Sequence, residues 1–341
     1  RCTPLRDGLS AEPRFFTRLL REALLISAAF APALVKHPAL PTIDLAVAEG
    51  EIVAALDSAF REVGFCICNH AGLDPEIRAA AFAASRAFHD LPEALKTSYA
   101  INSAHRGYIA SNSSTTRTSS VAEVRKPNTS ESFMLMHEVP ENDPRFGKPL
   151  QGPNQWPQEV SGFRDTLEAY WQDVDCAARK LTKLCLKALE IETRVYETWF
   201  RQPTEFLRLL HYWPEAPDEP EDSFGSAPHT DHGFLTLLVQ DRVGGLEVKA
   251  QDGTWVEVTA SPDQVVVNAA DWLAHLSGGR WRSSPHRVKN RSGQHRYALA
   301  YFFDPDMDAE AVPVTGMGES LIYGDYLLSR FNANYRYRAD V

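Results

Sequence analysis

His229 and Asp231 stand two positions apart in the run Pro228-His229-Thr230-Asp231. Residues two apart on an extended segment point to the same side, so this imidazole and carboxylate can serve one centre. The third candidate ligand is His286, in Ser283-Ser284-Pro285-His286-Arg287-Val288, 55 positions after Asp231. Two imidazoles and one carboxylate occupy one face of an octahedron around a non-haem Fe(II), leaving three positions for a co-substrate and O₂. Zinc takes the same ligand types, so the choice of metal rests on the surroundings. A lone H-x-D also occurs where the histidine is an ordinary surface or core residue.

Arg296 follows His286 by ten residues and opens the run RYALAYFF. Alternation puts Arg296, Ala298, Ala300 and Phe302 on one face, and the last three are apolar. An arginine on the inner face of a barrel is costly unless an anion pairs with it. A dicarboxylate co-substrate supplies such an anion and suits the bidentate guanidinium fork. A structural salt bridge is the competing reading for Arg296 taken alone.

These residues need a β framework, and the chain supplies one late. From Phe206 onward, segments 205–213, 233–240, 244–250, 254–259, 263–269, 281–289 and 295–303 are short and rich in Val, Leu and aromatics. Gly, Pro and Asp separate them, as in a closed or two-sheet β structure. Helices come first. Ile52, Ala55, Leu56, Ala59 and Phe60 recur at helical spacing over 49–63, with Gly64 as the stop; 74–91 reads the same way. Between them 40–47 and 65–69 read as strands. The longest helical pattern spans 163–190 and should pack along a sheet; 319–338 reads as a terminal helix. Residues 100–130 are polar and include SNSSTTRTSS at 111–120, a loop composition. The segment 111–131 is expected to be a mobile lid near the barrel mouth. Gly244-Gly245 reads as a tight turn.

The 341 residues carry 35 Lys and Arg against 45 Asp and Glu, a net charge of −10. That balance is a poor one for neutralising phosphates, so no nucleic-acid partner is expected. No apolar run reaches the ~18 residues of a membrane span, so no membrane partner is expected either. The five cysteines are odd in number and irregular in spacing, which fits reduced thiols and a cytoplasmic location. Cys66 and Cys68 read as buried structural thiols. Segment 1–38, with five arginines among apolar residues, reads as an appended helix, with a remnant of organelle targeting as the alternative.

The runs PHTDHGFLTLLVQDRVGGLEV, DGTWVEV, VVNAADWL, SSPHRV and RYALAYF, in this order and spacing, resemble the iron and 2-oxoglutarate-dependent dioxygenases of the isopenicillin N synthase-like superfamily. LPTIDLA, GFCICNH and GPNQWP extend the resemblance upstream, so that it covers about residues 40–335. It implies a double-stranded β-helix, or jelly roll, with N-terminal helices and a long packing helix. The corresponding division is an extension at 1–38, an N-terminal α/β region at 39–160, the long-helix region at 161–200, the jelly-roll core at 201–310 and a C-terminal helix and tail at 311–341.

The resemblance further implies Fe(II) on His229, Asp231 and His286, the distal carboxylate of 2-oxoglutarate on Arg296, and O₂ as the oxidant. The expected reaction is oxidation, in the first place hydroxylation, of a small organic molecule, with release of succinate and CO₂. LRLLHYWP resembles the strand that lines the co-substrate site, so His211 or Tyr212 is expected to assist; the two point to opposite faces, and His211 is preferred. The family usually carries R-x-S where this chain has Arg296-Tyr297-Ala298, which removes a hydroxyl and about 1 kcal/mol of hydrogen bonding.

Three alternatives stay open at this level. H-T-D and Q-D-x-V-G-G-L also resemble the branch that contains the microbial ethylene-forming enzyme, so fragmentation of 2-oxoglutarate is one. An oxidase on the same fold that does not use 2-oxoglutarate is the second. A non-catalytic small-ligand binder is the third, and it would need neither the triad nor Arg296. His232 is expected to point away from the triad or to line its rim. His70, His89 and His275 lack partners at ligand spacing, and Trp255 and Trp272 read as packing residues. The substrate is not legible, and a monomer is the expected state.

Overall fold

The computed structural model describes residues 40–115 and 126–335. Fourteen strands and seven helices lie within them. The strands are β1 (Thr42–Asp44), β2 (Phe65–Asn69), β3 (Gly107–Ile109), β4 (Glu131–Met136), β5 (Thr204–Tyr212), β6 (Ser226–His229) and β7 (Leu235–Gln240). The chain continues with β8 (Leu246–Lys249), β9 (Trp255–Glu257), β10 (Val265–Ala269), β11 (His286–Val288), β12 (Arg296–Asp304), β13 (Glu310–Ala311) and β14 (Leu321–Ile322). The helices are α1 (Glu49–Glu62), α2 (Pro75–His89), α3 (Glu93–Ser98), α4 (Phe163–Ala188), α5 (Thr193–Trp199), α6 (Asp271–Leu276) and α7 (Tyr323–Asn334).

Eight strands form the large sheet in the order β1-β2-β10-β7-β12-β5-β4-β3, and four form the small one in the order β6-β11-β8-β9. The two sheets make the jelly-roll core. In β12 successive side chains enter two different cores. Tyr297, Leu299, Tyr301 and Phe303 join the cluster shared with the helices, whereas Ala298 and Ala300 join the barrel interior with Leu210, Tyr212, Val248 and Val266. A strand buried on both faces reads as a continuous apolar run, which is why RYALAYFF shows little alternation of polarity.

The helices cover the outer face of the large sheet. α4 buries Leu167, Tyr170, Val174, Ala178, Leu181 and Cys185 on one stripe and packs against α1, α2, β7 and β12. Asp74 caps α2 by accepting from the N–H groups of Glu76 and Ile77 at 2.8 and 3.1 Å, and Pro75 starts the helix, where its missing N–H costs nothing. Gly64 ends the first helical segment with φ +74°, where a Cβ would meet the Arg282 carbonyl oxygen at 2.3 Å. Only glycine fits that turn.

Several expectations need revision. Residues 100–130 are not loop throughout: β3 lies within them and is fully buried, with Tyr108 3 % exposed. β4 and β6 are strands that the sequence pattern does not announce. The former is an unbroken buried run and the latter only four residues long, so neither shows a usable period. The 281–289 segment is a strand only over β11. The expected N-terminal helix of 1–38 lies outside the described residues, as do 116–125 of the expected lid and the end of the tail. The two flanks of the lid segment are stitched down: Asn112 N–H donates to the Asn128 carbonyl, and Asn128 N–H to that of Ser114, both at 2.9 Å. No described helix is long and apolar enough to cross a membrane.

Candidate active site

β6 ends on His229 and β11 begins on His286, and the two are partners in one antiparallel rung. Asp231 follows in the turn to β7. Nε2 of His229 lies 3.7 Å from Asp231 Oδ1, and Nε2 of His286 lies 3.6 Å from the same oxygen. One ligand atom from each of the three residues falls within 4.8 Å of the others. Among the described residues this is the one group of three or more His, Cys, Asp or Glu with metal-holding geometry.

The outward atoms fix the inward ones. Nδ1 of His229 lies 2.8 Å from the Ala227 carbonyl oxygen, and Nδ1 of His286 lies 3.3 Å from that of Ser284. A carbonyl only accepts, so each Nδ1 carries the proton and each Nε2 keeps its lone pair for a metal. Asp231 Oδ2 accepts from Thr236 Oγ1 at 2.6 Å and Asn268 Nδ2 at 2.8 Å, which leaves Oδ1 to face the imidazoles. Burial acts to raise the Asp231 carboxyl, but the imidazoles of His286 and His229 and the two hydrogen bonds outweigh it and hold it at about 2. Burial, with His286 beside it, pushes His229 down to about 3. Asp231 is therefore a carboxylate and His229 a neutral imidazole, the forms a divalent metal binds.

Arg296 is fully buried. Nη2 donates to Gln240 Oε1 at 3.0 Å, and the guanidinium lies 4.7 Å over the ring of Tyr212, its neighbour across the β5–β12 ladder. Nε and Nη1 have no partner, and no acidic side chain among the described residues forms an ion pair with it. The salt-bridge reading of Arg296 thus fails. A buried guanidinium with two orphaned donors costs several kcal/mol, and the carboxylate of a bound diacid would relieve that cost. The orphaned nitrogens fit such a co-substrate.

Tyr212, not His211, lies on this inner face, so the preference for His211 is corrected. His211 points to the helix side, where Nδ1 bonds Glu131 Oε1 at 2.7 Å and Nε2 meets His295 Nδ1 at 2.8 Å. Glu131 also accepts from Lys96 Nζ at 2.6 Å and the Tyr108 hydroxyl at 2.5 Å. Burial would raise its carboxyl, but these donors hold it at about 2. The group is a satisfied structural network on the face opposite the triad.

A cavity opens beside His229 and Asp231, walled by Phe206, Phe302 and Phe331, with Arg208 and Asp304 among its polar lining. His232 borders it, as expected of a rim residue, with Nδ1 3.7 Å from Asp271 Oδ2. Sequence reasoning missed Thr236, Asn268 and Gln240, although they lie in PHTDHGFLTLLVQDRVGGLEV and VVNAADWL. Thr236 and Gln240 share parity on β7, and that parity was the available signal.

The chain matches the model of the 2OG-Fe(II) oxygenase superfamily over residues 203–305 and that of the non-haem dioxygenase in morphine synthesis N-terminal family over 40–159. It is 30 % identical over 320 residues to the 2-oxoglutarate-dependent dioxygenase citB of Monascus ruber, a match that covers 87 % of this chain and 95 % of citB. The chain belongs to the 2OG-Fe(II) oxygenase superfamily.

Solved members of the superfamily share the fold. A full-length Neurospora crassa protein in complex with alpha-KG and thymine superposes with a TM-score of 0.75 at 26 % identity, covering 86 % of this chain and 96 % of the Neurospora one. JOX2 in complex with 2OG, Fe and JA gives 0.72 at 25 % identity, covering 89 % of each chain. This oxygenase is a 2-oxoglutarate-dependent dioxygenase that uses Fe(II), 2-oxoglutarate and O₂ and releases succinate and CO₂. The relatives favour that reaction over the ethylene-forming, 2-oxoglutarate-independent and non-catalytic readings.

Proposed function

We propose that His229, Asp231 and His286 hold the Fe(II), that Arg296 binds the distal carboxylate of 2-oxoglutarate beside Gln240 and Tyr212, and that the enzyme hydroxylates a small organic molecule in the adjoining cavity. The observation that carries this reading is the convergence of three ligand atoms within 4.8 Å, on the same barrel interior as an arginine with two orphaned donors. The metal, once bound, supplies with 2-oxoglutarate and O₂ the oxidising power spent on a substrate C–H bond.

The chain's own residues do the rest. His229, Asp231 and His286 would hold the metal from one side and leave it accessible to co-substrate and oxidant. Thr236 and Asn268 hold the Asp231 carboxylate in one orientation, and the Ala227 and Ser284 carbonyls hold the two imidazoles. Gln240 and the Tyr212 ring hold the Arg296 fork in plane. Phe206, Phe302 and Phe331 keep water from the reacting face. In this assignment 201–310 is the catalytic core, the described parts of 39–160 and 161–200 support its large sheet, and Leu327 and Phe331 of the C-terminal region wall the cavity. Free thiols at Cys66, Cys68, Cys176 and Cys185 support work in the cytoplasm.

The test is a metabolite screen with Fe(II), ascorbate and 2-oxoglutarate under ¹⁸O₂. Hydroxylation gives succinate together with one labelled oxygen in the product. O₂ uptake without succinate would replace the reading with an oxidase, and ethylene with a fragmentation.

A further inference from the structure

The substrate class can be read from the cavity, on the footing of the function just proposed. β5 sends Arg208, Leu210 and Tyr212 to the barrel interior by alternation. Arg208 pairs with Ala300 of β12 on one side and Met134 of β4 on the other. It therefore sits two residue pairs from Phe206 and Phe302 on the same face, and Phe302 in turn pairs with Thr236, which holds Asp231. Arg208 and Arg296 share the inner face but stand four residue pairs apart along the ladder, about 13 Å at ~3.3 Å per residue.

The guanidinium of Arg208 is only lightly committed. Nε donates to Ser132 Oγ at 3.0 Å, and no acidic side chain among the described residues pairs with it. Two carboxylates line the cavity, and both are engaged elsewhere. Asp231 belongs to the triad. Asp304 accepts from the Phe234 N–H through Oδ1 and from the Tyr323 hydroxyl through Oδ2, each at 2.7 Å. Arg208 thus presents N–H donors to a cavity with an apolar side made by Phe206, Phe302, Phe331, Met134 and Leu327, beside polar residues such as Ser226, Thr230 and His232.

We propose that Arg208 binds a carboxylate of the organic substrate, and that the substrate is a small monocarboxylic acid with a compact apolar or aromatic body. The fork supplies charge-assisted, bidentate recognition of the anion, and the aromatic walls take the body. Discrimination follows from the same donors. A neutral amide of the same shape leaves the positive charge unmatched in a partly desolvated site.

The test uses the full chain loaded with Fe(II) and 2-oxoglutarate under nitrogen, so that nothing turns over. Phenylacetate, 3-phenylpropanoate and cyclohexanecarboxylate are titrated by calorimetry against their primary amides. At least one acid should bind about tenfold or more tightly than its amide. In Arg208→Gln the acid and the amide should bind alike, and Arg208→Lys should keep part of the preference with a steeper salt dependence. The wild-type comparison stands even where a variant does not fold. If no acid outbinds its amide, or if Arg208→Gln keeps the preference, the assignment is wrong. Equilibrium dialysis of 2-oxoglutarate separates this outcome from failure of the underlying reading. A loss of 2-oxoglutarate binding in Arg208→Gln would give Arg208 to the co-substrate and overturn the proposal. Retention of 2-oxoglutarate binding in Arg296→Gln would instead overturn the co-substrate assignment of Arg296 and leave Arg208 untouched.

Discussion

His229 and His286 face each other across one rung of the β6–β11 ladder, and each turns Nδ1 to the carbonyl two residues before it. The carbonyl that fixes His229 lies within β6, at Ala227, whereas the one that fixes His286 lies at Ser284, in the segment leading into β11. Both imidazoles are thereby held in one tautomer before a metal arrives, with Asp231 Oδ1 between their Nε2 atoms.

Alanine variants of His229, Asp231 and His286 should each lose bound iron, read by metal analysis of the purified proteins. Full iron occupancy in His286→Ala would remove it from the ligand set. The supporting shell should matter too. Thr236→Val and Asn268→Ala each free Asp231 Oδ2, and iron affinity should fall about 10- to 100-fold without loss of the fold.

Arg296→Lys keeps the charge but loses the fork and the stacking on Tyr212, so the KM for 2-oxoglutarate should rise about tenfold, or ~1.4 kcal/mol. Arg296→Gln should nearly abolish succinate formation while iron stays bound. Ala298→Ser should be tolerated, because Ala298 shares the inner face with Arg296, and a hydroxyl there can accept from its orphaned donors. Steady-state kinetics with 2-oxoglutarate as the varied component decides all three. An unchanged dependence in Arg296→Gln would remove Arg296 from the co-substrate site.

His229 with Asp231, and Arg296 with Ala298, were legible because each pair rests on a two-residue period, whereas His286 was legible only as the third ligand type, 55 positions on. Tyr212 against His211 was not. Both residues are large, ring-bearing and buried, and β5 is covered on both faces, so no polarity pattern tells inside from outside. The packing decides: Glu131, paired opposite His211 on β4, draws the imidazole to the helix side. β3 was hidden for a related reason. Three residues in a polar stretch carry no period, and Tyr108 is in the core because its hydroxyl finds Glu131. Arg208 stood in a quoted run, but its lack of an acidic partner is a fact of three dimensions alone.

Asp304 gives stability a pH dependence. Burial pushes its carboxyl from an ordinary 3.8 up to about 7, against the hydrogen bonds from Tyr323 and Phe234. The folded chain therefore keeps a proton that the unfolded chain releases between about pH 4 and 7, and stability should fall as pH rises through that window. A shift of this size corresponds to at most about 4 kcal/mol. Asp304→Asn carries no titrating proton and should flatten this part of the profile. Urea denaturation of both metal-free proteins at about pH 5 and pH 7.5 measures it; parallel profiles would show that Asp304 is not the group responsible.

Gly233 links that carboxylate to the metal site. A Cβ at Gly233 would stand 1.7 Å from Asp304 Oδ1 and 2.0 Å from its Cγ. Neither side can yield freely. Asp304 is held by the Phe234 N–H and the Tyr323 hydroxyl. The turn that carries Gly233 is stitched to the start of α6, with Asp271 N–H donating to the Asp231 carbonyl at 2.9 Å and Trp272 N–H to that of Gly233 at 3.1 Å. Gly233→Ala should therefore cost about 1–3 kcal/mol of stability by overpacking, and it should also weaken iron binding, because the displaced turn carries Asp231. Asp304→Ala removes the atoms that the new methyl would strike. In the double variant the two costs should fall short of their sum by about 0.5–3 kcal/mol. Denaturant titrations of the wild type, both single variants and the double variant supply the cycle, with iron content as the second readout. Strict additivity would mean that the turn and Asp304 move independently, and the steric account of Gly233 would then fail.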